Sequence, residues 1–183
     1  MADATNEWEQ RVAACWAKAG EMTASELIQS IDALAAERPD SSASLFEKAA
    51  ARDTAGREAD AEPLYRAALS AGGLDALRHA RAAIQLGSTL RLLGRFDESE
   101  QLLRAEIDRA NSVESYPLRD EAHAFLALTL LARGRAAEAA AIALVTLAPH
   151  LSRYSRAVRA NAVELAANAV QPTGALPIPE CNE

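Results

Sequence analysis

Residues 80–107 read ARAAIQLGSTLRLLGRFDESEQLLRAEI, an Ala/Leu-rich amphipathic stretch on either side of Gly94. The tripeptide at its centre, Leu-Gly-Arg at 93–95, has counterparts in Ala-Gly-Arg at 55–57 and Arg-Gly-Arg at 133–135. Gly56, Gly94 and Gly134 stand 38 and 40 residues apart, a period that signals stacked helical hairpins. One hairpin cannot bury its own apolar face, so neighbouring hairpins must nest. The expected fold is all-α, a right-handed superhelical stack of antiparallel helix pairs with a C-terminal capping helix. Such a stack offers a curved groove, and it points to binding and scaffolding rather than to chemistry.

Outward from this segment, hairpins are expected at 43–71, 77–110 and 118–148, separated by Gly72-Gly73 and Asn111-Ser112 and closed by Pro149. Upstream, Asn6 with Glu9 and Thr23 with Glu26 have capping-box spacing. They predict helix starts near 7 and 24, a degenerate hairpin at 7–37 and a mobile N-terminus at 1–6. Trp8, Val12, Cys15 and Trp16 form one apolar stripe of that hairpin, read as core ahead of an exposed interaction patch. Downstream, Leu151, Tyr154, Val158, Ala162, Leu165 and Ala169 share one face of a capping helix at 151–170. A single domain thus spans 7–170, and residues 171–183, with three prolines, are expected to be a flexible tail. Pro63 falls inside the second helix of the first hairpin, where a late start or a kink is expected.

The chain has 183 residues and is half apolar, yet only 4% aromatic, which suits a core of Ala and Leu at short helix–helix distances. A net charge of −7 disfavours nucleic acid as a partner. The 17 Arg against 2 Lys read as base composition ahead of Arg-mediated recognition. Cys15 and Cys181 lie near opposite ends without metal-ligand spacing, so a reduced, cytoplasmic setting without a structural disulfide is expected. No apolar run approaches the ~20 residues that span a bilayer, so no membrane partner is expected. His79, His123 and His150 are scattered, His123 as a hydrogen-bonded core histidine. Glu98 and Glu100 face solvent by helical arithmetic, and no phosphate-binding Gly loop is present. No catalytic residue, cofactor or metal site is expected.

The segment 80–107 resembles a tetratricopeptide repeat (TPR). The matching places are a small residue midway along each first helix (Ala49, Gly87, Ala127), Gly at each turn (Gly56, Gly94, Gly134) and a small residue early in each second helix (Ala61, Ser99, Ala139). Large side chains at the crossings would push the helices apart, and a left-handed turn would cost a residue other than Gly about 1–2 kcal/mol. Departures are Leu45, Ala83 and His123 at the usual aromatic place, and Glu106 and Thr146 where Ala68 keeps the late small residue. With SIDALAAERPD and SLFEKAAARDTAGREADAEPLYRAAL, residues 7–170 resemble a small family of stand-alone bacterial TPR proteins, which implies neither a catalytic residue nor a ligand.

The resemblance implies that the first helix of each hairpin lines a concave groove. Its places fall on Phe46, Ala50 and Asp53, then Arg81, Ile84, Ser88 and Arg91, then Glu121, Ala124 and Leu128, with Gln85 at the edge. Phe46, Ile84 and Leu128 would supply apolar contacts, while Arg81, Arg91 and Asp53 would set direction. Arg suits this role because its planar fork grips carboxylate in two places. Alternatively Asp53 pairs with Arg91 or Tyr65 to fix adjacent repeats. The chaperone-type carboxylate clamp is disfavoured, because Phe46, Ala50, Ile84 and Ser88 stand where it needs Lys, Arg and Asn. Arg153, Arg156 and Arg159 form a basic edge, read as a solvated face ahead of a docking site. The expected partner is another protein or peptide. Alternatives are a small-molecule or signalling-peptide sensor using the same groove, and a homo-oligomer joined through the Trp-bearing first hairpin.

Overall fold

The computed structural model describes residues 2–170. Its helices are α1 (Ala2–Ala17), α2 (Ala24–Ala36), α3 (Ser42–Thr54), α4 (Glu58–Ala71), α5 (Ala76–Leu92), α6 (Phe96–Ser112), α7 (Arg119–Ala132), α8 (Ala136–Leu147) and α9 (Ser155–Val170). Consecutive helices pack in order, and α5 also touches α3 and α7. No comparable contact joins α4 to α6 or α6 to α8 among the described residues. Helices α3, α5 and α7 therefore crowd together along the concave side, with α4, α6 and α8 on the convex side. This is the expected stack of hairpins.

The three turns are built alike. Gly56, Gly94 and Gly134 have φ of 69°, 76° and 79°, the left-handed region that an L side chain resists. The arginine after each glycine then donates its amide back to the carbonyl of the helix just ended: Arg57 to Arg52, Arg95 to Leu90 and Arg135 to Leu130. That bond satisfies an otherwise orphaned carbonyl and reverses the chain.

Small residues sit where the helices cross. Ala49, Ala61 and Ser99 are fully buried, Ala127 and Ala139 nearly so. At Gly87 a Cβ would lie 2.7 Å from Cγ of Leu103, so α5 and α6 can approach this closely only without one. Ser99 adds a polar pin at the same crossing. Its hydroxyl donates to the Gly87 carbonyl at 2.7 Å and lies 2.9 Å from the hydroxyl of Thr129 on α7. One apolar cluster joins Phe46, Tyr65, Ala82 and Leu86, and a second joins Ile84, Leu103, Leu126 and Leu130.

Some boundaries differ from the sequence reading. Helix α1 begins at Ala2, so Asn6 lies within it and caps nothing; the Glu9 carboxylate instead pairs with Arg78. The Thr23 box does form, with Glu26 N donating to Thr23 Oγ1 at 3.3 Å and Thr23 N to Glu26 Oε2 at 2.8 Å. Helix α4 runs unbroken from Glu58 through Pro63, so it does not start late. Helix α9 starts at Ser155 rather than at 151, because Tyr154 adopts a positive φ of 63°. Of the face expected to seal the stack, Ala162 is buried, whereas Leu165 and Tyr154 are exposed. Ala169 and the 171–183 segment lie outside the described side chains.

Both tryptophans serve the fold. Trp8 is 1% exposed and its indole donates to the Leu34 carbonyl at 2.8 Å, under the guanidinium of Arg38. Half-buried Trp16 donates to Glu47 Oε2 at 2.7 Å and packs beside the Phe46 cluster. Trp8 is thus wholly engaged in the core and Trp16 in part.

Candidate functional site

Helix α5 carries the polar part of the inner wall. Arg81 lays its guanidinium 4.9 Å above the Phe46 ring. One turn on, Gln85 has a buried Oε1 without a hydrogen-bond partner, and Arg91 has a buried Nε in the same condition. Among the described residues the Arg91 side chain otherwise makes a 3.5 Å contact from Nη2 to Ser88 Oγ. Asp53 is held from the side: Tyr65 donates its hydroxyl at 3.3 Å and Thr89 at 3.1 Å. Burial pushes the Asp53 carboxyl up, while those two hydrogen bonds pull it down. Burial, then Asp53, push the Tyr65 phenol well above its ordinary range.

The structure thus sets Arg81, Gln85, Ser88 and Arg91 along α5, with Asp53 of α3 bonded to Thr89 of the same helix, but not every expected residue is free. Phe46 is fully buried, packed against Tyr65 with ring centroids 6.2 Å apart and covered by Arg81. Ala50 is also buried, and Ile84 is only 4% exposed because it packs into the α6–α7 cluster. Neither Phe46 nor Ile84 can offer a ligand an apolar surface. Leu128 can, at 46% exposed, and Leu131 beside it at 56%. Asp53 bridges α3 to α4 and α5 through Tyr65 and Thr89, not through Arg91.

A second feature escaped the sequence reading. Glu100 is 8% exposed, not solvated. It accepts from Arg104 at 2.9 Å, from Arg135 at 2.7 Å and from Arg133. Glu62, one repeat earlier, likewise accepts from Arg66 at 2.7 Å and Arg95 at 2.6 Å. Each turn arginine also pairs within its own helix: Arg57 with Asp60, Arg95 with Glu98, Arg135 with Glu138. Arg95 and Arg135 of the Gly-Arg phrases therefore fasten their own hairpins to the preceding ones, whereas Arg57 reaches only Asp60 among the described residues. The legible signal was the acid five residues after Arg57 and Arg95, namely Glu62 and Glu100; Ala140 holds that place after Arg135.

These pairs make stability depend on pH. Hydrogen bonds from Arg66, Arg95 and Arg135 hold Glu62, Glu98 and Glu138 below the usual carboxylate range. Burial pushes Glu100 up, but Arg104 and Arg135 outweigh it and the net shift is downward. The folded state then binds fewer protons than the unfolded one. The stabilisation is complete above the unfolded value near about 4.3 and is lost as pH falls through the lower folded values. Melting followed by circular dichroism should give a constant Tm from pH 7 to about 5 and a steep fall below about 4. A Tm that rises on acidification would contradict the network, although Asp53, shifted the other way, offsets a small part.

His123 is half-buried with Nδ1 2.8 Å from the Arg119 carbonyl, as a core histidine should be. His79 lies 3.3 Å from Glu106, which also accepts from Tyr116 at 2.7 Å. Glu106 occupies the place of a small residue, and this cluster pins the α6–α7 connection. Among the described residues no group of His, Cys, Asp and Glu could hold a metal ion, and no helix is long and apolar enough to cross a membrane.

Stacked antiparallel pairs, left-handed Gly turns and small crossing residues define a helical-repeat protein. The family model described as "Tetratrico peptide repeat" matches residues 42–165, so the chain belongs to the tetratricopeptide repeat family. Repeats of this family mediate protein–protein interaction and scaffolding. No curated protein and no solved structure matches the chain.

Proposed function

We propose that this chain is a non-enzymatic binding module whose inner wall, formed by α5 and α7, takes an extended peptide or partner helix bearing an acidic residue. The observation that carries this reading is the buried, unpartnered pair of Gln85 Oε1 and Arg91 Nε on one helix. A peptide carboxylate would supply the charged partner that the Arg91 guanidinium lacks among the described residues, and a backbone N–H the donor that Gln85 lacks, once the two side chains turn outward. Arg91 grips the acid, Arg81 about 15 Å back along α5 sets the other end of the peptide, Gln85 accepts a backbone N–H, and Leu128 receives an apolar side chain. Asp53 stays a structural bridge.

Selection from a displayed peptide library should enrich sequences with an acid near an apolar residue. The double change Arg81→Ala and Arg91→Ala should weaken a selected peptide at least about ten-fold, given about 1.5–3 kcal/mol per charge-assisted hydrogen bond. Undiminished binding with unchanged far-ultraviolet circular dichroism would refute the groove.

A further inference from the structure

The third hairpin repeats the second at an offset of 40 residues, the spacing of Gly94 and Gly134. By that offset Ala124, Ala143 and Leu147 correspond to Ile84, Leu103 and Ile107. In the second hairpin those positions are 4%, 0% and 8% exposed, because Ala122, Leu126 and Leu130 of α7 pack into one cluster with them. In the third hairpin Leu147 is 48% exposed, and Ala124 and Ala143 are exposed too. Helix α9 does not take the corresponding place. It packs on α8, but no contact comparable to α3–α5 or α5–α7 joins it to α7 among the described residues. A cleft of about 390 Å³ is left on α7 and α8, with Ala124, Ala143 and Leu147 in its lining. Thr146 lines it as well and spends its hydroxyl on the Ile142 carbonyl at 2.9 Å, so it adds carbon surface. The end formed by the start of α7 and the end of α8 is acidic. Asp120 and Glu121 border the cleft there, both exposed. Asp120 lies 2.9 Å from Nε2 of His150, and Glu121 has no ion-pair partner among the described residues.

We infer that this cleft is the seat of a helix from a partner protein, one that carries a lysine or arginine beside an aliphatic stripe. Helix α7 shows the shape of such an occupant in the equivalent seat one hairpin earlier. Its Arg119 donates to the Ala110 carbonyl near the end of α6 at 2.6 Å, and Ala122, Leu126 and Leu130 follow on the buried face. Steps of three and four residues are what a helix in a groove presents. Charge adds the selectivity. In the earlier seat Ala80 and Arg81 stand where Asp120 and Glu121 stand in this one, so of the two seats the open one sets two acids against the incoming helix. A basic residue ahead of the stripe pairs with them, and the net charge of −7 draws it in from a distance. Neither Arg91 nor Gln85 takes part, so the seat is independent of the acid-binding reading above.

A displayed library of helical peptides, selected on the full chain and counter-selected on the variant Ala143→Trp, tests this. Tryptophan at that exposed position plugs the cleft and should leave the far-ultraviolet circular dichroism unchanged; if it does not, Leu147→Ser replaces it as the counter-target. The surviving peptides should carry Lys or Arg within one turn of aliphatic residues at three- and four-residue steps. They should shift the amide resonances of Ala124, Ala143 and Leu147, and not those of α1 and α2. Asp120→Asn/Glu121→Gln should weaken them at least about three-fold, the order expected of two exposed ion pairs. Glu7→Gln/Asp40→Asn, a pair of exposed acids at the other end of the stack, should not weaken them, and neither should Arg81→Ala/Arg91→Ala. No surviving peptide, survivors without a basic residue, or equal weakening by the two acid pairs overturns the proposal and leaves the test of the acid-binding groove standing. Binding that appears only after residues 171–183 are removed gives the seat to the chain itself, and binding that appears only when a dimer is diluted gives it to a second copy. Either result also overturns it.

Discussion

Replacing Gly87 with valine should destabilise the protein by about 3 kcal/mol and lower its Tm by about 6–12 °C. The added Cβ would lie 2.7 Å from Leu103 Cγ and 2.9 Å from Cδ2. Leu103 is completely buried and cannot step aside. Separating α5 from α6 to make room would also stretch the Ser99 bond to the Gly87 carbonyl and its contact with Thr129. Alanine at the same place should cost less, because it regains about 1 kcal/mol of helix propensity. Leu103→Ala alone should cost about 2–5 kcal/mol. Combined with Gly87→Ala, the total should fall short of the sum by at least about 1 kcal/mol, since the new methyl fills part of the space Leu103 leaves. Strict additivity in urea unfolding would show that the two residues do not press on each other.

Glu100→Ala should also destabilise the fold, by about 2 kcal/mol. Breaking a buried pair costs about 3–5 kcal/mol, and here the partner arginines are 29–46% exposed, so solvent screens part of the loss. Removing the carboxylate leaves Arg133 and Arg135 facing each other at the junction of the second and third hairpins. Glu98→Ala, only two residues away but exposed, should leave the Tm close to wild type. Added salt should shrink the difference between Glu100→Ala and wild type. Equal effects at positions 98 and 100 would show that burial does not distinguish them.

The contrast between those two glutamates shows where sequence reading stops. The hairpin stack was legible because its signals are local: a left-handed Gly at each turn and small residues at a fixed offset on either side. Helical arithmetic also places Glu98 correctly. It misplaces Glu100, whose burial is created by arginines 33 and 35 residues further along. Phe46 and Ile84 fail for the same reason. Their positions face inward in the repeat pattern, but Arg81 covers the one and α6 and α7 close over the other. Of the polar residues of α5, Arg81 is engaged by the Phe46 ring, while Gln85 and Arg91 each keep a polar atom without a partner among the described residues.

Because Arg95 and Arg135 each grip an acid one hairpin back, the array carries an internal rule about its register. A tandem duplicate of the middle hairpin would find a matching glutamate behind it and present another ahead. Copying the last hairpin would instead set an arginine against Ala140, with nothing to hold. A copy of the middle hairpin thus keeps the Arg–Glu register, whereas a copy of the last one breaks it.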